Sequence, residues 1–482
     1  MKERGDKMKK RIVSLLLSTT MLLGVLAGCS SSGSGTKTTE ANSKESVATT
    51  STNTEADTTV ESNQSQSISV GTKETTITFW HSMGGVNGEA IQYLVDKFNK
   101  ENTNGITVAA EYQGSYDDAI NKLKSAQIGN MGADLVQIYD IGTRFMIDSG
   151  WVVPMQELID TDSYDITQIE PNIAAYYTID NKMYSMPFNS STPILYYNKA
   201  IFDKAGITSI PTSFSEIDAI SDQLMKEGGA SESIALGIYG WFFEQFLCKQ
   251  QLNYVNNKNG RGEAATMIEF DSNKGAFNIL KAWKSLAEKG YAPNVGRGGD
   301  NAITEFSAGK AAMTLGSTAS LKQILTDVNG AFEVGTAYFP KVNDLDKGGV
   351  SIGGGSLWAL NNQDDTKKMA TWEFIKFLVS PESQAYWNAQ TGYFPITTKA
   401  QEEQVFKDNI EKYPQFMTAI DQLHDSSPSS AGALLSVFPE ARQIVETEIE
   451  NMINGQQNEE EAVAKMAADI NGAIEEYNLL NN

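Results

Sequence analysis

Thr75-Thr76-Ile77-Thr78-Phe79-Trp80 is a β-rich run, and the pattern that follows it decides the fold. A Gly-containing turn leads into an amphipathic stretch over about 88–100, with Ile91, Leu94, Val95 and Phe98 on one helical face. Ile106–Tyr112 reads as a second strand. Tyr116–Ile128 reads as a second helix that turns Ile120, Leu123 and Ile128 inward. Residues 133–139 form a third strand, apolar enough for a buried parallel sheet. The order βαβαβ predicts an open α/β sheet that binds ligands beyond the carboxyl ends of its strands. The informative loops are therefore 80–85, 112–116 and 139–143.

Around this core the chain divides by composition. From about Glu74 to the end there are around 400 residues, more than one core holds, so two lobes are expected. Residues 30–73 are almost all Ser, Thr, Asn, Gln, Glu and Gly. Such a segment cannot bury enough apolar surface to offset its ordering entropy, and a disordered tether is expected. Ahead of it lie a basic start (Lys2, Arg4, Lys7, Lys9, Lys10, Arg11), an apolar run over 12–26, and Leu26-Ala27-Gly28-Cys29. That is the layout of a secretory signal over 1–28. A Cys directly after Leu-Ala-Gly is similar to a bacterial lipoprotein signal, which implies that Cys29 is acylated and anchors the chain at the outer face of the cell membrane.

Charge and cysteine usage exclude several functions. The formal net charge is −22, and the signal carries six basic and two acidic residues, so the mature chain stands near −26. A chain this acidic does not seek nucleic acid or an anionic membrane surface. Cys29 and Cys248 are the only cysteines, so with Cys29 acylated Cys248 is a lone thiol. It follows Trp241-Phe242-Phe243-Glu244-Gln245-Phe246-Leu247, where a buried apolar thiol is expected. His81 and His424 are too few for a His/Cys zinc site. The chain has no phosphate-binding Gly-x-x-x-x-Gly-Lys-Ser/Thr loop and no Gly-x-Gly-x-x-Gly turn, and no cofactor is expected.

Six motifs in order over about 320 residues carry a resemblance: Phe79-Trp80-His81-Ser82-Met83; Gln137-Ile138-Tyr139-Asp140-Ile141-Gly142-Thr143; Pro187-Phe188-Asn189-Ser190-Ser191-Thr192-Pro193; Leu195-Tyr196-Tyr197-Asn198-Lys199; Ile352-Gly353-Gly354-Gly355-Ser356-Leu357-Trp358; and Thr391-Gly392-Tyr393-Phe394-Pro395-Ile396-Thr397. The chain resembles the extracellular solute-binding proteins of ABC importers, and within them the branch that binds sn-glycerol-3-phosphate. The resemblance implies two α/β lobes of the maltose-binding-protein type, joined by hinge strands around an interlobe cleft. Lobe one would combine 75–190 with 353–410, and lobe two 191–352 with 411–482. The chain crosses near 190–196, near 351–356 and within 404–423. The implied partners are a small phosphorylated polyol or sugar and a membrane permease, with the protein itself a monomer.

Ligand residues carry over one at a time. Tyr116 closes the turn after the second strand and matches a ligand-contacting tyrosine; its plain alternative is an aromatic that caps a helix. Asp140 stands where the family has Glu, one methylene shorter; taken alone, it is an ordinary turn residue. Ser191 and Ser317 match ligand serines, although such residues also cap helices. Gly354 matches a glycine whose N–H faces the ligand. Tyr393 matches a phosphate-side tyrosine. Arg442, in Phe438-Pro439-Glu440-Ala441-Arg442, matches an arginine whose guanidinium can fork onto phosphate oxygens. Its plain alternative is an ion pair with Glu440 or Glu446. Trp241 matches the second of two family tryptophans, but Ile238 holds the place of the first, with Tyr239 beside it. One aromatic wall is therefore missing or rearranged.

Three functions follow. The first is a receptor for sn-glycerol-3-phosphate or a glycerophosphodiester. The second is a sugar or oligosaccharide receptor, which shares the fold and does not need Arg442. The third is a secreted glycoside-acting enzyme, for which the sixty acidic residues supply carboxylates but no loop offers an evident acid/base pair.

Overall fold

The computed structural model describes residues 74–129, 132–427 and 430–481. The signal segment, Cys29 and the 30–73 tether read from the sequence lie outside the described residues. Among the described residues no helix is long and apolar enough to cross a membrane.

Strand β1 (Thr75–His81) buries Ile77, Phe79 and His81 on one face, the period-two pattern of a strand. It runs parallel to β2 (Ile106–Tyr112) on one side and to β3 (Leu135–Tyr139) on the other. Every residue of β3 is buried, as a central strand requires. The helix Gly85–Glu101 joins β1 to β2 and buries Ala90, Ile91, Leu94, Val95 and Phe98. The helix Tyr116–Ile128 joins β2 to β3 and opens with a capping box. In it the Asp118 N–H donates to Ser115 Oγ, and the Ser115 N–H donates to the Asp118 carboxylate. This helix buries Ala119, Ile120 and Leu123, but Ile128 is 91% exposed, contrary to its expected inward position. Eight residues beyond Ile120 is about 80° round the helix, off the buried face.

A short hairpin of β4 (Thr178–Ile179) and β5 (Lys182–Met183) precedes β6 (Met186–Ser191). Only Thr192 separates β6 from β7 (Pro193–Asn198), and the chain changes sheets there. In the second sheet β8 (Glu232–Ala235) lies parallel to β9 (Ala311–Ser317), and β7 lies antiparallel to β9 and to β10 (Val334–Tyr338), giving the order β10-β7-β9-β8. β11 (Gly353–Ala359) returns to the first sheet, antiparallel to β3 and β6, and completes the order β2-β1-β3-β11-β6. Gln422 pins the crossover: its amide donates to Thr192 Oγ1 at 3.1 Å and the Pro193 carbonyl at 2.8 Å, and accepts from the Phe339 N–H at 2.7 Å.

The first sheet packs on Phe98, Trp372, Phe374 and Trp387, and the second on Phe242, Phe243, Phe246 and Trp283. Cys248, in the helix Gly240–Lys249, is a free, half-buried thiol. Burial pushes its pKa up to about 12, so the sulfur stays protonated at neutral pH.

Candidate functional site

A cavity of about 410 Å³ lies between the two sheets. It is bordered by the carboxyl-terminal ends of several strands. After β2 comes Tyr116, after β3 comes Asp140, β6 ends at Ser191 and β9 ends at Ser317. Tyr116, Asp140, Ser191, Trp241, Ser317, Gly354, Tyr393 and Arg442, the residues singled out from the sequence, all line this one cavity.

A buried amide relay sets the tyrosine end. The Ser82 N–H donates to Gln137 Oε1 at 2.9 Å, which turns the Gln137 NH₂ toward Asn189 Oδ1 at 2.8 Å. Asn189 Nδ2 is thereby left to donate to Tyr116 Oη at 2.8 Å. Because Tyr116 Oη already accepts, its own proton points elsewhere: to Tyr393, whose hydroxyl it meets, or to a ligand. Burial raises the pKa of both phenols, so both remain donors through the physiological range. Their rings are held by stacking, Tyr116 on Tyr139 at 5.2 Å and Tyr393 on Trp387 at 5.6 Å. Gly354 completes this end. Its φ is +96°, and a Cβ there would stand 2.0 Å from the Asn189 carbonyl oxygen, so no larger residue fits. Asn189→Ala is expected to lower the unfolding free energy by about 1–3 kcal/mol, since it strands the buried Gln137 amide. Urea denaturation would measure this, and a loss below roughly 0.5 kcal/mol would remove the relay from the account.

Ser317 does double service. It lines the cavity, and its Oγ accepts from the Ala319 N–H at 3.2 Å to cap the turn Thr318–Ser320.

The opposite end is ionic. Arg442 projects from the helix Phe438–Ile453 and is buried. Its Nε and Nη2 donate to the two carboxylate oxygens of Glu244 at 2.8 and 2.9 Å, a bidentate pair. The same Nη2 stands 3.6 Å from Asp140 Oδ2, and the guanidinium lies 5.6 Å from the centre of the Tyr239 ring. The arginine's fork is thus held by Glu244, neither by solvent nor by Glu440 or Glu446; Glu446 instead accepts the Gly240 N–H at 2.9 Å. Nη1 and the second N–H of Nη2 make no hydrogen bond among the described residues, which leaves three of the five guanidinium donors unused. Gly240 lets the arginine stem approach, because a Cβ there would meet Arg442 Cγ at 2.4 Å. Burial pushes Asp140 up to about 7, an effect Arg442 opposes and Glu244 adds to.

Residues 93–418 match the family of bacterial extracellular solute-binding proteins. The chain belongs to that family. It is 32% identical over 404 residues to the sn-glycerol-3-phosphate-binding periplasmic protein UgpB of Pectobacterium atrosepticum, covering 81% of this chain and 89% of that protein. It is 31% identical over 401 residues to UgpB of Escherichia coli K12, covering 81% and 90%. Among solved structures, UgpB from Mycobacterium tuberculosis in complex with glycerophosphocholine matches with a TM-score of 0.72 at 23% identity, over 84% of this chain and 99% of that one. The GacH receptor of Streptomyces glaucescens, solved unliganded and with acarbose, matches at 0.70 and 20% identity, over the same shares. The fold is therefore the two-lobe α/β architecture of the maltose-binding-protein type. The chain is a solute-binding protein of the kind that serves ABC importers, binding a small ligand for delivery to a membrane permease.

Two features of this solute-binding protein were not legible beforehand. Glu244, the arginine's partner, is a single charge inside an aromatic run, a signal that the sequence shows without naming the partner. The aromatic wall is rearranged rather than lost. Ile238 is fully buried, its N–H and carbonyl tied to Gly296 and Gly298, while Tyr239 lines the cavity beside Trp241, ring centres 5.9 Å apart.

Proposed function

We propose that the cavity captures sn-glycerol-3-phosphate or a glycerophosphodiester and that closure of the two lobes sequesters it for the permease. One observation carries this reading: uncharged donors fixed on both sheets converge on a cavity that holds one buried arginine. Tyr116, Tyr393, Ser191, Ser317 and the Gly354 backbone would receive phosphate oxygens, with Arg442 Nη1 completing the set. Asp140 would accept from the polyol hydroxyls, and Trp241 with Tyr239 would cover its carbon chain. The names of the relatives at 31–32% identity support the same ligand class. The moving bodies would be 75–190 with 353–410 and 191–352 with 411–482. A ligand shifts that equilibrium only by its preference for the closed form. The protein would work as a lipid-anchored receptor, tethered through Cys29, and not as an enzyme; product formed from a bound ligand on prolonged incubation would contradict this.

A second reading has its own observation. Two aromatic rings and two carboxylates line the same cavity, Tyr239 and Trp241 with Asp140 and Asp300, and they also suit an uncharged saccharide. A thermal-shift panel of glycerol-3-phosphate, glycerophosphocholine, inorganic phosphate and maltose separates the two. A ligand bound only by the folded state at a hundredfold excess over Kd stabilises by about 2.7 kcal/mol. Glycerol-3-phosphate or the diester is expected to raise Tm and maltose to leave it unchanged. A response to maltose alone would transfer the assignment to sugars.

A further inference from the structure

We propose that Glu244 sets the charge this site accepts, so that a phosphodiester monoanion binds in preference to a phosphomonoester dianion. The inference rests on the phosphate-bearing ligand proposed above and adds to it the selecting residue and the selected charge state.

Arginine presents five N–H donors in one plane, and its strongest anion contact is the bidentate one. Here Glu244 holds a bidentate edge at 2.8 and 2.9 Å, and Asp140 stands 3.6 Å from the same Nη2. What remains for a ligand is the end formed by Nη1 and the second N–H of Nη2, the latter facing Asp140 at 3.6 Å. A phosphate meeting it makes an end-on contact with a guanidinium whose charge is already balanced. No other basic side chain lines the cavity among the described residues, whereas Asp300 adds a further carboxylate. The remaining donors are uncharged: phenols, serine hydroxyls, the Asn87 amide, the Trp241 indole and backbone N–H groups. Such donors stabilise one delocalised negative charge, but they do not offset a second charge brought beside the lining carboxylates Asp140 and Asp300, with Glu244 already paired to the arginine. Remote charges on this acidic chain are screened within about 8 Å and do not decide the matter. Burial already holds Asp140 near 7, a sign that the cavity resists additional negative charge.

The test is calorimetric titration at about pH 8, where the second phosphate ionisation, near 6, is complete. Two ligands are compared: sn-glycerol-3-phosphate and its methyl phosphodiester, which keeps the polyol and carries one charge fewer. The diester is expected to bind the wild-type protein about tenfold or more tightly than the monoester. Glu244→Gln is expected to bring the ratio toward one by improving the monoester relative to the diester. Glu244→Asp keeps the charge and should keep the preference, even if both affinities fall. A wild-type protein that binds the dianion as tightly as the diester overturns the inference, and this comparison stands even if the variants do not fold. Equal loss of both ligands in Glu244→Gln also overturns it, leaving Glu244 a structural partner of Arg442. Silence toward both ligands with a response to maltose is a separate result, which overturns the phosphate reading itself.

Discussion

Arg442→Ala is expected to abolish ligand-induced stabilisation and to lower the stability of the ligand-free protein by about 3–5 kcal/mol, the usual consequence of removing one partner of a buried ion pair. The guanidinium holds Glu244 through two hydrogen bonds, and it faces Asp140 at 3.6 Å. Its loss leaves two buried carboxylates beside one another. Burial raises the pKa of both, and Arg442 is the largest opposing influence on each. Without it they take up protons more readily, so the defect should be largest at about pH 8 and smaller in mild acid. Replacing both Arg442 and Glu244 with leucine should recover part of the stability and none of the binding, because an apolar pair of similar bulk needs no counter-charge. Urea denaturation of the three proteins decides this; a single alanine variant within about 1 kcal/mol of wild type would mean that the pair is not structurally buried.

Asp140→Asn is expected to act in the opposite direction on the ligand-free protein. Burial is the main cause that lifts Asp140 from its ordinary 3.8 to about 7. Between those values the folded chain holds a proton that the unfolded chain has released. This residue's contribution therefore falls as pH rises from about 4 to about 7 and is level above. A shift of that size corresponds to at most about 4 kcal/mol, at about 1.4 per unit. The amide carries no charge, so the variant should be more stable than wild type at about pH 8 and close to it near pH 4. The same change should weaken polyol binding, since half of the carboxylate's acceptor capacity is lost. An unfolding free-energy difference that is the same at both pH values would show that Asp140 is not titrating in the cavity.

The contrast between these two residues indicates how far a sequence carries. β1, β2, β3 and the two helices between them follow from hydrophobic period alone, because each buries a continuous face on the next. Ile128 escaped that logic because it sits at the helix end, off the face that Ile120 and Leu123 define. Asp140 and Arg442 were found by motif, but the charge on Arg442 that a ligand actually meets depends on Glu244, 198 residues away. The Gln137–Asn189 relay spans 52 residues in the same way. Gln137 inside Leu135-Val136-Gln137-Ile138 is a polar residue in an apolar strand, which marks a buried hydrogen bond without naming its partner. The shift of the aromatic wall from Ile238 to Tyr239 depends on which side of a single loop faces the cavity, and no period reports that.

The most direct measurement is a crystal structure of the protein grown with sn-glycerol-3-phosphate or its methyl diester. The account predicts the phosphorus within reach of the Tyr116 and Tyr393 hydroxyls, Ser191, Ser317 and Arg442 Nη1, with Glu244 still holding the other edge of the guanidinium. A cavity that excludes both phosphates and takes up maltose against Tyr239 and Trp241, with Nη1 left to water, would contradict it.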